Sequence, residues 1–108
     1  MNIEVCDLSD EKLDWAVSKC EGTLGPAGKA PLPYSTDKGL AAQVIDRMGI
    51  KIYQDDPVAP FKAIYQPDPT EPHYYLRQFG PTPKIAAMRV RVAATLGNVI
   101  TVPAVISV

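Results

Sequence analysis

Arg89 is the residue whose type and position most clearly indicate chemistry. It falls between Ile85 and Ala93 around a predicted helix, which places it inside the apolar arc of that helix. A guanidinium directed into a core requires an anion, because an unpaired buried charge is very unfavourable. Three interpretations stay open: a structural salt bridge, with Asp37 as the candidate partner; the floor of a pocket for phosphate or carboxylate; or a side chain that snorkels to water.

The starts of two predicted helices are a second place where an anion can bind, because their first N–H groups lack partners within the helix. Residues 34–37 lead into one helix and carry a ring, two hydroxyls and a carboxylate, while Thr82 precedes the other. Asp37 would repel a phosphate unless an arginine neutralised it, so a ribose hydroxyl suits it better. Capping of the helix is the structural alternative at both places.

An aromatic and basic strand is the third candidate. His73, Tyr75 and Arg77 share one face of a predicted strand, because side chains alternate with period two. Such a mixture suits a nucleotide, with a base stacked on the ring and a phosphate held by Arg77. An ordinary exposed sheet face is the alternative. His73 has no second ligand at metal-binding spacing, so we predict no metal site.

Trp15 stands apart from the apolar stripe of its predicted helix, beside Lys12 and Lys19. Either the proline-rich connection over residues 22–35 folds over the ring, or the ring is exposed. An exposed tryptophan would mark a partner surface or a stacking platform for a base.

Composition bounds the class of protein. The 108 residues suit a single domain, 1–108. A net charge of -1 does not indicate the basic surface that binds duplex nucleic acid. No run is long and apolar enough for a membrane span, and the first residues lack the pattern of a signal peptide. Cys6 and Cys20 are expected to be free thiols in a reducing cytosol. No pattern calls for a cofactor.

The spacing of the apolar residues, together with the positions of capping residues, glycines and prolines, predicts an α+β fold. Three strands follow one another with connections too short for crossover helices, so we expect an antiparallel meander of three to four strands. About three helices, on both faces of the sheet, would give an α–β–α sandwich. The apolar tail, 98–108, should pack on its own domain or on a second copy. The first helix is predicted to follow an N-cap at Asp7 or Ser9 and to end at about residue 21, and the others to span about 36–48 and 83–96. Strands are predicted at 2–6, 50–54, 61–66 and 73–79.

Several short segments, in order, resemble the NinX-like family of small phage and prophage proteins and the related phage α–β–α sandwich domains. The resemblance covers about residues 7–103, and it departs from the family around 54–75 and in the tail. It implies a phage accessory protein that works in the cytoplasm of the host bacterium. The segments are Leu13-Asp14-Trp15-Ala16-Val17, Lys19-Cys20-Glu21-Gly22, Tyr34-Ser35-Thr36-Asp37, Gly80-Pro81-Thr82-Pro83, Ile85-Ala86-Ala87-Met88-Arg89 and Leu96-Gly97.

Together the resemblance and the candidate residues lead to one expected function. We expect a non-catalytic counter-defence protein that binds and sequesters a small nucleotide-type host immune signal. The alternative is an interaction module that inhibits a host protein through Trp15 and the apolar tail, and a small hydrolase is a third possibility. A homo-oligomer is expected in either case. The candidate ligand-binding residues are Arg89, Arg77, Tyr34, Ser35, Thr36, Asp37, Tyr75 and Thr82.

Overall fold

The computed structural model describes residues 2–23, 31–68, 70–71 and 74–101. Its elements confirm the α+β class, with helices and small antiparallel sheets in one chain. In chain order they are β1 (Asn2–Glu4), a 3-10 turn (Val5–Asp7), α1 (Asp10–Glu21), α2 (Lys38–Met48), β2 (Lys51–Tyr53), β3 (Phe61–Tyr65), β4 (Leu76–Gly80), α3 (Pro83–Leu96) and β5 (Val99–Thr101).

The middle of the chain forms the expected meander. Strands β2, β3 and β4 lie in that order, and each pair is antiparallel. The register places Ile52, Ala63 and Gln78 side by side across the sheet, and Ala63 is fully buried. This row therefore marks the face that packs on the core. The last strand begins at Leu76, not at the expected residue 73, and His73 lies outside the described residues.

Helix α3 lies directly on this sheet. Thr82 caps its first turn by accepting a hydrogen bond from the N–H of Ile85, and proline stands at its start, as the sequence predicts. Gly80 permits the close approach, because a Cβ atom there would lie 2.7 Å from the backbone nitrogen of Ala86. The buried residues of α3 then fill the space between the sheet and the other helices.

The helices lie on one side of the sheet. Helix α3 contacts all three strands, whereas α1 and α2 pack mainly on α3. The layers therefore run from the sheet to α3 and then to α1 and α2, instead of placing helices on both faces. Tyr53 and Phe79, 47% and 42% exposed, stand on the opposite face of the sheet. That face alternates basic and aromatic residues, and so offers no apolar layer for a second helix.

A separate two-stranded sheet joins the two ends of the described fold. β1 pairs with β5 in antiparallel register, with Ile3 opposite Ile100. The expected first strand is shorter than 2–6, because Val5 starts the 3-10 turn and donates its N–H to the carbonyl of Asn98. The first part of the apolar tail thus packs on its own domain, and residues 102–108 lie outside the described part. No helix in the described ranges is both long and apolar enough to cross a bilayer.

Candidate functional site

Arg89 is a structural tie between distant parts of the backbone. Its Nε donates to the carbonyl of Leu8 at 2.8 Å, and its Nη1 donates to the carbonyl of Phe79 at 2.7 Å. Burial lowers its pKa, and the carboxylate of Asp7 opposes that shift. The prediction of a salt bridge to Asp37 is wrong, because Arg89 donates to the carbonyl oxygens of Leu8 and Phe79 instead. Arg89 is thus engaged by the protein, which removes it from the candidate ligand pocket.

The start of α2 is also engaged by the protein. Asp37 is the N-cap, and its Oδ1 accepts the N–H of Leu40 at 2.9 Å. Tyr34 is buried, and its hydroxyl lies 3.1 Å from the hydroxyl of Thr23. A base cannot stack on a ring that is already packed in the core. Thr36 is exposed, but its N–H donates to the carbonyl of Pro33.

Ser35 is tied to a buried carboxylate. Its N–H donates to Oδ1 of Asp14 at 2.7 Å, and both residues are buried. Burial raises the pKa of Asp14, while the N–H of Ser35 opposes the shift and the charges of Asp10 and Glu11 add to it. The capping alternative therefore describes residues 34–37 better than an anion site does. Sequence reasoning missed this role for Asp14, because its partner is distant in the chain.

Two arginines share one carboxylate between the helices. Glu21 accepts from Nε of Arg91 at 2.6 Å and from Nη2 of Arg47 at 2.5 Å. Burial alone would raise the pKa of Glu21, but the hydrogen bonds and charges of the two arginines outweigh it and lower the pKa. Arg91 also donates to the carbonyl of Cys20. This network joins α1, α2 and α3 and is structural. A hint was available, since a glutamate at the end of a helix is unfavourable without a cation.

Trp15 is not an exposed anchor. The residue is only 8% exposed and belongs to the core cluster. The ammonium of Lys19 lies 5.3 Å from the centre of the ring. A shallow cavity of about 240 Å³ borders the ring, with Leu96 and Ile100 among its walls. A partner surface at Trp15 would require an exposed ring, and that requirement is not met because the residue is buried.

The uncovered side of the three-stranded sheet is different. We call it the open face and define it by two rows of residues. In one row Lys62 on β3 stands between Tyr53 on β2 and Phe79 on β4. In the next row Ile64 stands between Lys51 and Arg77. The open face thus consists of Tyr53, Lys62, Phe79, Lys51, Ile64 and Arg77.

Cations and rings lie close together on the open face. The ammonium of Lys62 is 5.9 Å from the centre of the Tyr53 ring, and the guanidinium of Arg77 is 5.5 Å from that of Phe79. The three strands contain no Asp or Glu. Within the described part of the chain, no carboxylate forms an ion pair with Lys51, Lys62 or Arg77. These charges are therefore available to an external anion.

A depression of about 280 Å³ lies at one end of the open face. Its size is near the lower end of small-molecule sites, and its walls are basic, aromatic and polar. Tyr75 is one of these walls. The depression thus contains one residue of the strand face that was predicted from His73, Tyr75 and Arg77. The lining residues are Gly49, Lys51, Tyr53, Ile64, Gln66 and Tyr75.

The structure separates the predicted site residues into two groups. Arg77 lies on the open face, and Tyr75 lines the depression at its end. Arg89 reaches the backbone from the α3 side, and Thr82 caps that helix. The segment 34–37 caps α2, which packs on α3 and not on the sheet. Sequence reasoning missed the cations and ring of β2 and β3, although the alternation of Lys51 with Tyr53 was a readable signal.

One exposed cluster remains near the amino end. Ligand atoms of Glu4, Cys6 and Asp7 lie within 4.8 Å of one another. Desolvation, followed by the charges of Asp7 and Glu4, raises the pKa of the Cys6 thiol, which makes it a poorer ligand. Cys6 and Cys20 are both free thiols, as expected. The cluster gives no independent sign of a metal.

No protein-family model matches the chain, and no curated protein matches it either. The resemblance to the NinX-like family, which depends on short segments in a fixed order, therefore stays a prediction.

Proposed function

We propose that the protein is a non-catalytic phage accessory protein that binds a nucleotide-type ligand on its open face. By binding, it withdraws a host immune signal in the bacterial cytoplasm. The nucleotide part of this proposal rests on the open face. The phage and counter-defence part rests on the resemblance of segments 13–22, 34–37 and 80–97 to the NinX-like family.

One observation carries the nucleotide part: three cations and two rings share a face that has no carboxylate on its strands. A phosphate is attracted to unpaired ammonium and guanidinium groups, and a base stacks on an exposed ring. A nucleotide supplies both groups in one molecule. The site therefore moves from Arg89 and the helix starts to the sheet, while the expected ligand class stays the same.

The proposal is non-catalytic because the buried groups that could do chemistry serve the fold. Asp14 accepts the N–H of Ser35, and Glu21 holds two arginines. General acid–base work needs such a group beside bound substrate. On the open face the charged groups are cations that hold an anion in place.

The alternative, an interaction module that inhibits a host protein, gains no support here. Its anchors were Trp15, which is buried, and the tail, most of which lies outside the described residues. Self-association stays a prediction, and light scattering of the purified protein tests it.

Calorimetric titration with nucleotides tests the binding function. The probes are AMP, GMP, UMP and the corresponding linear and cyclic dinucleotides. We expect saturable binding by the wild type and at least a tenfold loss in the double variant Lys62→Gln, Arg77→Gln, because two of the three cations of the open face are removed. Failure of the folded wild type to bind any probe at millimolar concentration would exclude the proposed function.

A matched variant separates local from overall charge. Lys12→Gln with Lys38→Gln removes the same number of charges from α1 and α2, away from the sheet. We expect it to bind like the wild type. An equal loss in both double variants would show that net charge, and not the open face, controls binding. Heating protein purified from signal-producing cells and analysing the released molecules by mass spectrometry then tests the sequestration part.

A further inference from the structure

We propose, on the basis of the proposed function, that the open face binds two successive nucleotides of a single-stranded oligonucleotide. The two bases stack on Tyr53 and Phe79, and the phosphodiester between them is held by Lys62. The ligand class is thus an oligonucleotide with at least one internal phosphodiester, and not a mononucleotide.

The spacing of the two rings carries this inference. Tyr53 and Phe79 flank Lys62 in one row across the sheet. Neighbouring strands lie about 4.8 Å apart, so the two ring-bearing backbones lie about 10 Å apart. One base cannot lie flat on two side-by-side rings at that distance. Two bases that have separated from each other can, provided that the linker between them crosses the middle strand.

The residue at the middle of the row matches that linker. Lys62 stands between the two ring-bearing residues in the strand register, and its ammonium lies over the Tyr53 ring, 5.9 Å from the ring centre. A phosphodiester carries one negative charge between two nucleosides, so a single ammonium is its natural partner. The order ring, cation, ring across the sheet is therefore the order base, phosphate, base along a strand.

The second row extends the same path. Lys51 and Arg77 stand on either side of Ile64, one step along the strands. Tyr75 adds a further ring at the depression of about 280 Å³. These groups offer places for one more phosphate and one more base. A strand longer than two nucleotides therefore gains contacts, whereas a mononucleotide leaves most of the face empty.

The strand must be single. In a duplex the bases are stacked on each other and paired, so their flat faces are not available to Tyr53 and Phe79. The cations of the open face are Lys51, Lys62 and Arg77, and release of counterions from a single strand gives a slope of about −0.7 per phosphate neutralised. We thus expect the logarithm of affinity to fall with the logarithm of salt with a slope of about −0.7 for a dinucleotide with one phosphodiester, and about −1.4 for a longer strand that places a second phosphate.

A length series tests the inference. Fluorescein-labelled oligouridylates of one, two, four and eight nucleotides are titrated by anisotropy, and an unlabelled cyclic dinucleotide competes against the dinucleotide. We expect the dinucleotide to bind about tenfold more tightly than the mononucleotide, and longer strands to bind at least as well. Effective competition by the cyclic compound identifies a small cyclic ligand, whereas preference for four or eight nucleotides identifies a strand. Both results support the two-base site.

Single ring variants give the sharper readout. Tyr53→Ser and Phe79→Ser should each lower dinucleotide affinity about tenfold and leave mononucleotide affinity within threefold, because the mononucleotide can use the remaining ring. Tyr74→Ser is the matched control, since Tyr74 is 59% exposed but belongs neither to the open face nor to the walls of the depression. Circular dichroism and urea midpoints confirm that each variant is folded.

Two outcomes would overturn the inference, and they differ from failure of the proposed function. Equal affinity for one and two nucleotides, with the wild type still binding both, would reject the two-base site but keep nucleotide binding. Dinucleotide affinity unchanged in both ring variants would do the same. Absence of binding to every probe by the folded wild type would remove the proposed function as well.

Discussion

The helical side and the open face both contain basic side chains, but these side chains have opposite surroundings. Among the helices, Arg47 and Arg91 form ion pairs with Glu21, and Arg89 donates hydrogen bonds to two backbone carbonyls. On the open face, Lys62 and Arg77 lie over aromatic rings and meet no carboxylate within the described residues. The protein has therefore neutralised one set of charges internally and left the other set available.

This difference indicates how to choose arginines as candidates for ligand binding. An arginine on an apolar arc attracts attention in a sequence, but burial only means that some acceptor must be present. A backbone carbonyl serves as well as a phosphate. A cation that remains exposed beside a ring, with no protein anion, is the better sign of a ligand. Four predictions test the contrast, beginning with the largest expected effect.

Glu21→Gln should lower the free energy of unfolding by about 3 kcal/mol, because it leaves the nearly buried Arg91 without its carboxylate. Urea denaturation measures this change. The paired carboxylate has a lowered pKa in the fold, so its contribution is complete above the unfolded value of about 4.3 and is lost as the pH falls through the folded value. The variant should lack this pH dependence.

Arg47→Gln is the matched control for the variant Glu21→Gln. The side chain of Arg47 is 58% exposed, so this surface partner should contribute less than about 1 kcal/mol. A loss in Arg47→Gln as large as that in Glu21→Gln would contradict the view that the Arg91 side of the network dominates.

Arg89→Met should lower the free energy of unfolding by about 2 kcal/mol, since two charge-assisted hydrogen bonds to Leu8 and Phe79 are lost while one desolvated charge is removed. Chemical denaturation gives the value. Dinucleotide affinity should stay within threefold, because the ladder to β3 still positions Phe79. A large loss of affinity in the folded variant would return Arg89 to the ligand site.

Asp14→Ala should cost about 1–2 kcal/mol, because the buried N–H of Ser35 loses its acceptor. Asp14→Asn keeps an acceptor oxygen and removes a buried charge, so its stability should equal or exceed that of the wild type at pH 7. The raised pKa of Asp14 means that wild-type stability is lost as the pH rises from the unfolded value, about 3.9, to the folded value. Denaturation at pH 3 and pH 7 should show the advantage of Asp14→Asn only at pH 7.

Lys62→Gln and Arg77→Gln should change the free energy of unfolding by less than about 0.5 kcal/mol, because neither cation supports a buried group. Their effect should appear only in nucleotide affinity and in its dependence on salt. Thermal denaturation and anisotropy at two salt concentrations measure both. Strong destabilisation by either change would erase the contrast between the two sides of the molecule.

Local signals in the sequence predicted the elements well. Residues 83–96 form a helix with the expected bounds, because Thr82, the prolines beside it and Gly97 act within one turn of each end. The meander was also predicted, since its connections are short. The strand over 99–101 was not, because its partner, β1, is at the other end of the chain.

The site was predicted only where it depended on alternation. Period two predicts that Arg77 and Tyr75 share a face, and the structure has Arg77 on the open face and Tyr75 in the wall of the depression at its end. The partners of Arg89 were missed because carbonyls at positions 8 and 79 carry no mark in the sequence. The role of β2 and β3 was missed because a layer of helix was expected over both sides of the sheet.

The pairing of β1 with β5 has a consequence for the order of folding. It joins Asn2 to Thr101, so its formation requires closing a loop of almost the whole described chain. Strands β2 to β4 and α3 are contiguous, and their contacts close over much shorter distances. We expect this contiguous unit to form early and the two chain-end strands to join late, after the open face has already formed.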